Sequence, residues 1–103
     1  MRRGEVWWVD FSSPIGRRPA VLLSRDEAYA VRNAVTVAEV TTVVRDIPVE
    51  VKLDKSDGLP KSCVVNLDTI VTIRKDRIKE RISLLKAQKI AQINIALKFA
   101  LGL

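Results

Sequence analysis

Gly16-Arg17-Arg18-Pro19-Ala20-Val21-Leu22-Leu23-Ser24 decides the fold of this chain, together with Arg3-Gly4-Glu5-Val6-Trp7-Trp8-Val9-Asp10 before it. Pro19 fixes its own φ and pushes Arg18 toward an extended conformation, so the chain enters the apolar run already in β geometry. Pro19 to Ser24 is nearly all apolar, the pattern of a strand buried on both faces. Glu5 to Phe11 reads as another strand, and the two bracket a short turn that carries two arginines. The planar fork of Arg18, aimed by the proline behind it, suits two phosphate oxygens and never loses its charge. The competing reading makes Arg17 and Arg18 solvated turn residues with no ligand.

Working outward, Ser24-Arg25-Asp26-Glu27 offers an N-cap followed by acids, opening a short helix through about Val31. Ala34 to Thr42 alternates as a third strand, with Val35, Val37, Glu39 and Thr41 on one face. Ile47 to Leu53 is a fourth, with Pro48 near its start or on an edge. Asp57-Gly58 and Leu59-Pro60 mark a loop. Ser62 to Asn66 and Thr69 to Ile73 continue the β pattern, and Arg81-Ile82-Ser83 adds a last short strand. The charged run from Arg74 to Arg81 reads as a solvated turn. Lys86 to Leu101 is a helix ended by Gly102. Many short strands at close spacing predict a mostly β fold with a C-terminal helix, a compact barrel-like sheet in one domain over residues 1–103.

Composition narrows the chemistry. Lys and Arg number 18 against 12 Asp and Glu, a net charge of +6 that favours an anionic partner. The chain has no histidine, which removes a His-based ribonuclease, a Ser-His-Asp hydrolase and a His-containing zinc site. The single cysteine, Cys63, lies between apolar neighbours and reads as a small core residue in a reducing, cytoplasmic setting. No carboxylate cluster stands out for Mg²⁺, so neither metal nor other cofactor is expected. No apolar run reaches membrane-spanning length, and the N-terminus has no signal-peptide apolar region.

The last helix carries two apolar stripes. Ile90, Ile93, Leu97 and Leu101 share a face that packs on the sheet, while Ile95 and Phe99 fall nearly opposite. The second stripe needs a cover, either a loop of the same chain or a second subunit.

Read in order, these segments resemble the MazF/PemK toxin family. The first strand and Gly16-Arg17-Arg18-Pro19-Ala20-Val21 resemble the family's opening pair of strands. Val37-Ala38-Glu39-Val40-Thr41-Thr42, Pro48-Val49-Glu50-Val51, Gly58-Leu59-Pro60-Lys61-Ser62-Cys63-Val64-Val65, Asp68-Thr69-Ile70 and Arg81-Ile82-Ser83-Leu84 follow in the family's sequence of motifs. The resemblance implies a small SH3-like or CcdB/PemK-type barrel and a prokaryotic, cytoplasmic toxin held in check by an acidic antitoxin protein. It implies a homodimer, and the second apolar stripe of the last helix places Ile95 and Phe99 near or in its contact. It further implies sequence-selective, metal-independent cleavage of single-stranded RNA, leaving a 2′,3′-cyclic phosphate and a 5′-hydroxyl. The family's two catalytic side chains fall on Arg18 and Thr41. RNA contacts fall on Ile15, Gly16, Arg17, Thr42, Ile47 and Asp68.

Three departures from the family pattern stand out. The turn Phe11-Ser12-Ser13-Pro14-Ile15-Gly16 is short, and Thr69 and Val71 replace a glutamine and a basic residue. Glu39 stands where relatives carry a small residue or proline. Two positions before Thr41, it can serve as base for the 2′-hydroxyl or be an ordinary ion-paired strand residue. Two other functions fit the same fold: a CcdB-type toxin that binds gyrase, and a nucleic-acid-binding barrel without catalysis.

Overall fold

A computed structural model describes residues 1–103. Six strands, β1 (Glu5–Asp10), β2 (Arg17–Leu22), β3 (Ala34–Thr41), β4 (Glu50–Leu53), β5 (Cys63–Arg74) and β6 (Ile78–Leu84), are joined by a one-turn helix α1 (Ala28–Val31) and followed by α2 (Ala87–Leu101). The strands form one antiparallel sheet in the order β4-β5-β3-β2-β1-β6. The sheet is curled into a half-barrel with edges at β4 and β6. The mostly β architecture with a C-terminal helix is as the sequence pattern predicts. No helix is long and apolar enough to cross a membrane.

Several boundaries move for identifiable reasons. β2 begins at Arg17 rather than Pro19, because Arg17 and Arg18 already pair with Asp10 and Val9 across the hairpin. Both arginines are therefore strand residues, not turn residues. β4 is shorter than the apolar pattern suggests: Pro48 has no N–H for a ladder, and Glu50 N–H closes a turn onto the Ile47 carbonyl at 3.0 Å. The two segments expected on either side of Asp68 are one twelve-residue strand, β5. Ser24 does not cap a helix; its Oγ accepts the Thr36 N–H at 2.8 Å, and α1 starts only at Ala28. The charged run is a single 3₁₀ turn over Lys75–Arg77 followed directly by β6. Charges on this edge strand guard it against pairing with another chain.

The central strands are buried on both faces, which is why β2 reads as unbroken apolar sequence. Val21, Ala38, Val40, Val65 and Leu67 face a larger core closed by Ile93 and Ala96 of α2. Ala20, Leu22, Val35 and Val37 face a smaller one with Tyr29 and Ile78. Each fully buried Val, Leu or Ile contributes about 1.5–3 kcal/mol. Leu101 departs from the expected packing stripe and is exposed; Ala96 and Ala100 take the sheet-facing positions with Ile90, Ile93 and Leu97. The α2 helix stops at Gly102, whose φ of 69° lets its N–H reach back to the last carbonyls. At the other end, Gly4 has φ 90° and lies so close to Ile90 that an added Cβ would sit 2.6 Å from its Cδ1. Glycine there lets β1 lie against α2.

Glu5 ties the N-terminus and β6 to β1. Its buried carboxylate accepts the Arg2 N–H at 2.8 Å, Trp7 Nε1–H at 3.1 Å and Arg81 Nε–H at 2.8 Å. Burial alone would raise its pKa, but the hydrogen bonds from Arg81, Trp7 and Arg2, with the nearby N-terminal charge, outweigh it and hold the carboxyl below its ordinary value of 4.5. The unfolded chain therefore binds this proton more readily. Glu5 contributes stability in full above the unfolded value, and that contribution is lost as pH falls through the lower folded value. In urea melts at a series of pH values below neutrality, Glu5→Gln should be less stable than the parent near neutrality and should show a shallower loss of stability in acid. Parallel acid limbs would contradict this role.

Candidate active site

The register of β2 against β3 builds the site. Ala20 lies opposite Glu39, and the same register carried on toward the open end of the pair brings Arg18 toward Thr41. Period-2 alternation then separates the strand into functions: Val35 and Val37 enter the smaller core, while Glu39 and Thr41, farther along the same face, line a cavity of about 240 Å³. Arg18 reaches the same cavity, and Val43, Arg45, Asn66 and Thr69 complete its walls. The structure thus brings together three residues that the sequence reading singled out separately, Arg18, Glu39 and Thr41.

Within the cavity Arg18 Nη1 donates to Glu39 Oε1 in a short ion pair. The pair is half sheltered, with the Glu39 side chain 17 % exposed and that of Arg18 39 %. Thr41 Oγ1 accepts the Val43 N–H at 3.2 Å, so its own hydrogen is free to be donated into the cavity. Buried Asn66 is oriented by a similar contact: its Oδ1 accepts the Asp68 N–H at 2.8 Å. The Asn66 amide N–H groups make no bond within the protein and remain available as donors at the wall. Thr69 Oγ1 donates to the Asn66 carbonyl at 3.1 Å and holds this stretch of β5 in place.

The other sequence-selected residues are dispersed. Ile15 lies on the β1–β2 turn beside a larger groove of about 660 Å³, which shares Glu39 and Thr69 with the cavity and has Arg74 and Arg77 on its wall. Gly16 takes φ 73° in that turn. Thr42 sits beside Arg18 and Thr41 on a shallow shelf at the strand ends. Ile47 is exposed in the β3–β4 loop. Asp68 is exposed on β5, lining neither cavity nor groove. Arg17 points away from the cavity. Its guanidinium lies over the Trp8 ring at 5.2 Å and pairs with Glu80 at 3.3 Å.

The sequence reading missed Arg45 and Asn66. Asn66 carried a visible signal, a polar residue inside the apolar run Val64-Val65-Asn66-Leu67; Arg45 carried none, being a loop residue that enters the site only through the fold. No three of the Asp, Glu and Cys side chains group closely enough to hold a metal ion. Cys63 is no nucleophile. Burial first, then the nearby Asp57 and Asp54 carboxylates, push its thiol above the ordinary value, and it packs in the larger core.

Comparison with known proteins accords with this geometry. A probable endoribonuclease MazF5 of Mycobacterium tuberculosis is 38% identical over 99 residues, covering 95% of this chain and 90% of the relative. Endoribonuclease MazF of Staphylococcus saprophyticus is 35% identical, covering 100% and 92%. Among solved structures, the Mycobacterium tuberculosis toxin MazF-mt6 superposes with a TM-score of 0.90 at 28% identity, covering 96% of this chain and 97% of that one. A mycobacterial endoribonuclease in complex with its cognate antitoxin gives 0.89 at 31% identity, covering 100% and 96%. Residues 2–101 match the family described as PemK-like, MazF-like toxin of type II toxin–antitoxin system. With nearly the whole chain covered in each comparison, this protein belongs to the PemK/MazF toxin family.

Proposed function

We propose that this chain is the toxin of a toxin–antitoxin pair and cleaves single-stranded RNA without a metal ion. The observation that carries the reading is the convergence of Arg18, Glu39 and Thr41 on one cavity at the open end of β2 and β3. The names of the relatives, endoribonucleases, support the substrate class. In the reaction, the ribose 2′-oxygen attacks the adjacent phosphorus and the P–O5′ bond breaks, the departing 5′-oxygen taking up a proton from water. The products are a 2′,3′-cyclic phosphate and a 5′-hydroxyl. Arg18 neutralises the charge that develops on the phosphoryl oxygens, and the Thr41 hydroxyl donates to one of them. As phosphate engages the Arg18 fork, the Glu39 carboxylate is released beside it and takes the proton of the 2′-hydroxyl. Unpaired strands suit this chemistry, because an A-form helix resists the in-line geometry that the attack requires.

Purified protein should cut unstructured RNA at an undiminished rate in EDTA and leave 5′-hydroxyl ends. Activity lost in EDTA and restored by Mg²⁺ would contradict the mechanism. A protein that cuts no RNA under any condition would favour a CcdB-type binding toxin or a passive nucleic-acid-binding barrel.

The working unit in this reading is a homodimer in the cytoplasm, with Ile95 and Phe99 of α2 at the contact. Both side chains stand in solvent, and no loop of the chain covers them. The regulator is an acidic antitoxin whose extended segment lies over the basic groove, consistent with the +6 charge of the chain. A solved relative bound to its cognate antitoxin supports such a partner.

A further inference from the structure

We propose that Arg45 is a second phosphate-binding residue, seating a backbone phosphate of the RNA strand beside the one gripped by Arg18. The inference rests on the reading of the chain as an RNA-cleaving protein and assigns the substrate contact that gives its cavity a net charge. The charged residues lining that cavity are Arg18, Glu39 and Arg45. Arg18 and Glu39 neutralise each other as an ion pair. Arg45 has no carboxylate partner, so the cavity carries one net positive charge, and Arg45 supplies it.

The loop that carries Arg45 is built to hold it there. The Glu50 carboxylate accepts the Arg45 N–H at 3.0 Å and the Asp46 N–H at 2.8 Å, gathering two consecutive backbone donors. Asp46 adopts φ 58°, a left-handed turn residue that reverses the chain just after Arg45. The clamp acts on the backbone and leaves the guanidinium free for a ligand. Asn66, whose amide N–H groups are unengaged, stands in the same wall and adds neutral donors for phosphate oxygens. A strand whose scissile phosphate lies at Arg18 and Thr41 thus finds, on a clamped loop, an unpaired cation for its neighbouring phosphate. Glu50 in this account is a positioning residue that acts through Arg45.

The test uses the full-length protein, a cleavable single-stranded RNA oligonucleotide and its 2′-O-methyl analogue, which binds but cannot be cut. Kd for the analogue is measured across a salt series, and kcat and KM for the substrate. Arg45→Ala should raise Kd and KM roughly tenfold at low salt, with kcat within about threefold of the parent. The slope of log binding constant against log salt should fall by about 0.7, the amount for one phosphate contact on a single strand. Arg45→Lys should keep the slope. Glu50→Ala should show the same KM-only loss, Glu50→Gln a smaller one, and Glu50→Ala/Arg45→Ala no more than either single variant. Thermal melts at the parental midpoint for Arg45→Ala show that the fold is intact. An unchanged slope in Arg45→Ala, or a loss confined to kcat, would overturn the proposal. A parent that binds the analogue with the expected Arg45-dependent slope but cuts no RNA would instead overturn the nuclease reading and leave the phosphate seat standing. A parent that binds no RNA at all overturns both.

Discussion

Arg18→Ala is expected to lower the single-turnover rate of RNA cleavage by roughly 10²–10³-fold, the range seen when one transition-state donor is removed. Two effects act together. The guanidinium that meets the phosphoryl oxygens is gone, and Glu39 is left without its partner in a site where its side chain is only 17 % exposed. The cavity then presents an unpaired carboxylate to an anionic substrate. Arg18→Ala/Glu39→Gln should therefore bind RNA better than Arg18→Ala alone, although its chemistry stays slow. Arg18→Lys keeps the charge but loses the two-pronged fork and should remain well below the parent. Thr41→Ala should cost a similar factor through the lost hydroxyl. The price to the fold is small, since the Val43 N–H that Thr41 now satisfies lies in an exposed loop. Unfolding midpoints near the parental value, beside these rates, would assign the losses to the site. Full activity in either alanine variant would remove that residue from the mechanism.

Ile95→Glu/Phe99→Glu is expected to turn a dimer into a folded monomer with little activity. Ile95 is 71% exposed and Phe99 62%, so neither substitution removes packing within the subunit. Surface changes of this kind usually move stability by no more than about 0.5 kcal/mol. At an interface the same changes bury two unpaired carboxylates against apolar surface, a cost several times larger. Leu101 and Leu103 are also exposed at the end of the chain. Light scattering should give the mass of two chains for the parent and one for the variant, and RNA cleavage should fall with the loss of the dimer. A variant that remains a dimer would place the interface elsewhere.

Much of this molecule was legible in its sequence because its signals are local. Pro19 and the apolar residues after it announce β2, alternation announces β3, and apolar spacing with a terminal Gly102 announces α2. The errors arose where tertiary structure overrides a local pattern. Only the Arg81-Ile82-Ser83 end of β6 was legible; its first half was hidden by charges, which mark an edge strand but resemble a solvated turn. β5 was divided at Leu67-Asp68; the strand runs through, but its pairing with β3 shifts there, Val65 lying opposite Val40 and Ile70 opposite Ala38, and the Asn66 side chain takes the Asp68 N–H that the ladder leaves unused. Ser24 looked like a helix cap, and the fold uses its hydroxyl to hold β3 instead. The site divides in the same way. Arg18 and Thr41 were legible through family resemblance and Glu39 through its spacing from Thr41. Arg45 was not legible, because its role depends on a loop closed by Glu50 and on a cavity made by residues distant in sequence.

The central claim is that the 2′-hydroxyl of the RNA is the nucleophile and that Arg18 and Thr41 stabilise its attack. After the cut in an unstructured RNA has been mapped by its 5′-hydroxyl end, one 2′-deoxy nucleotide is placed immediately 5′ of the scissile phosphate and the cleavage rate at that bond is measured. Cleavage at the bond should disappear while the oligonucleotide still binds, because the attacking oxygen is absent; cleavage at an undiminished rate would mean that water, or a group of the protein, attacks the phosphorus instead.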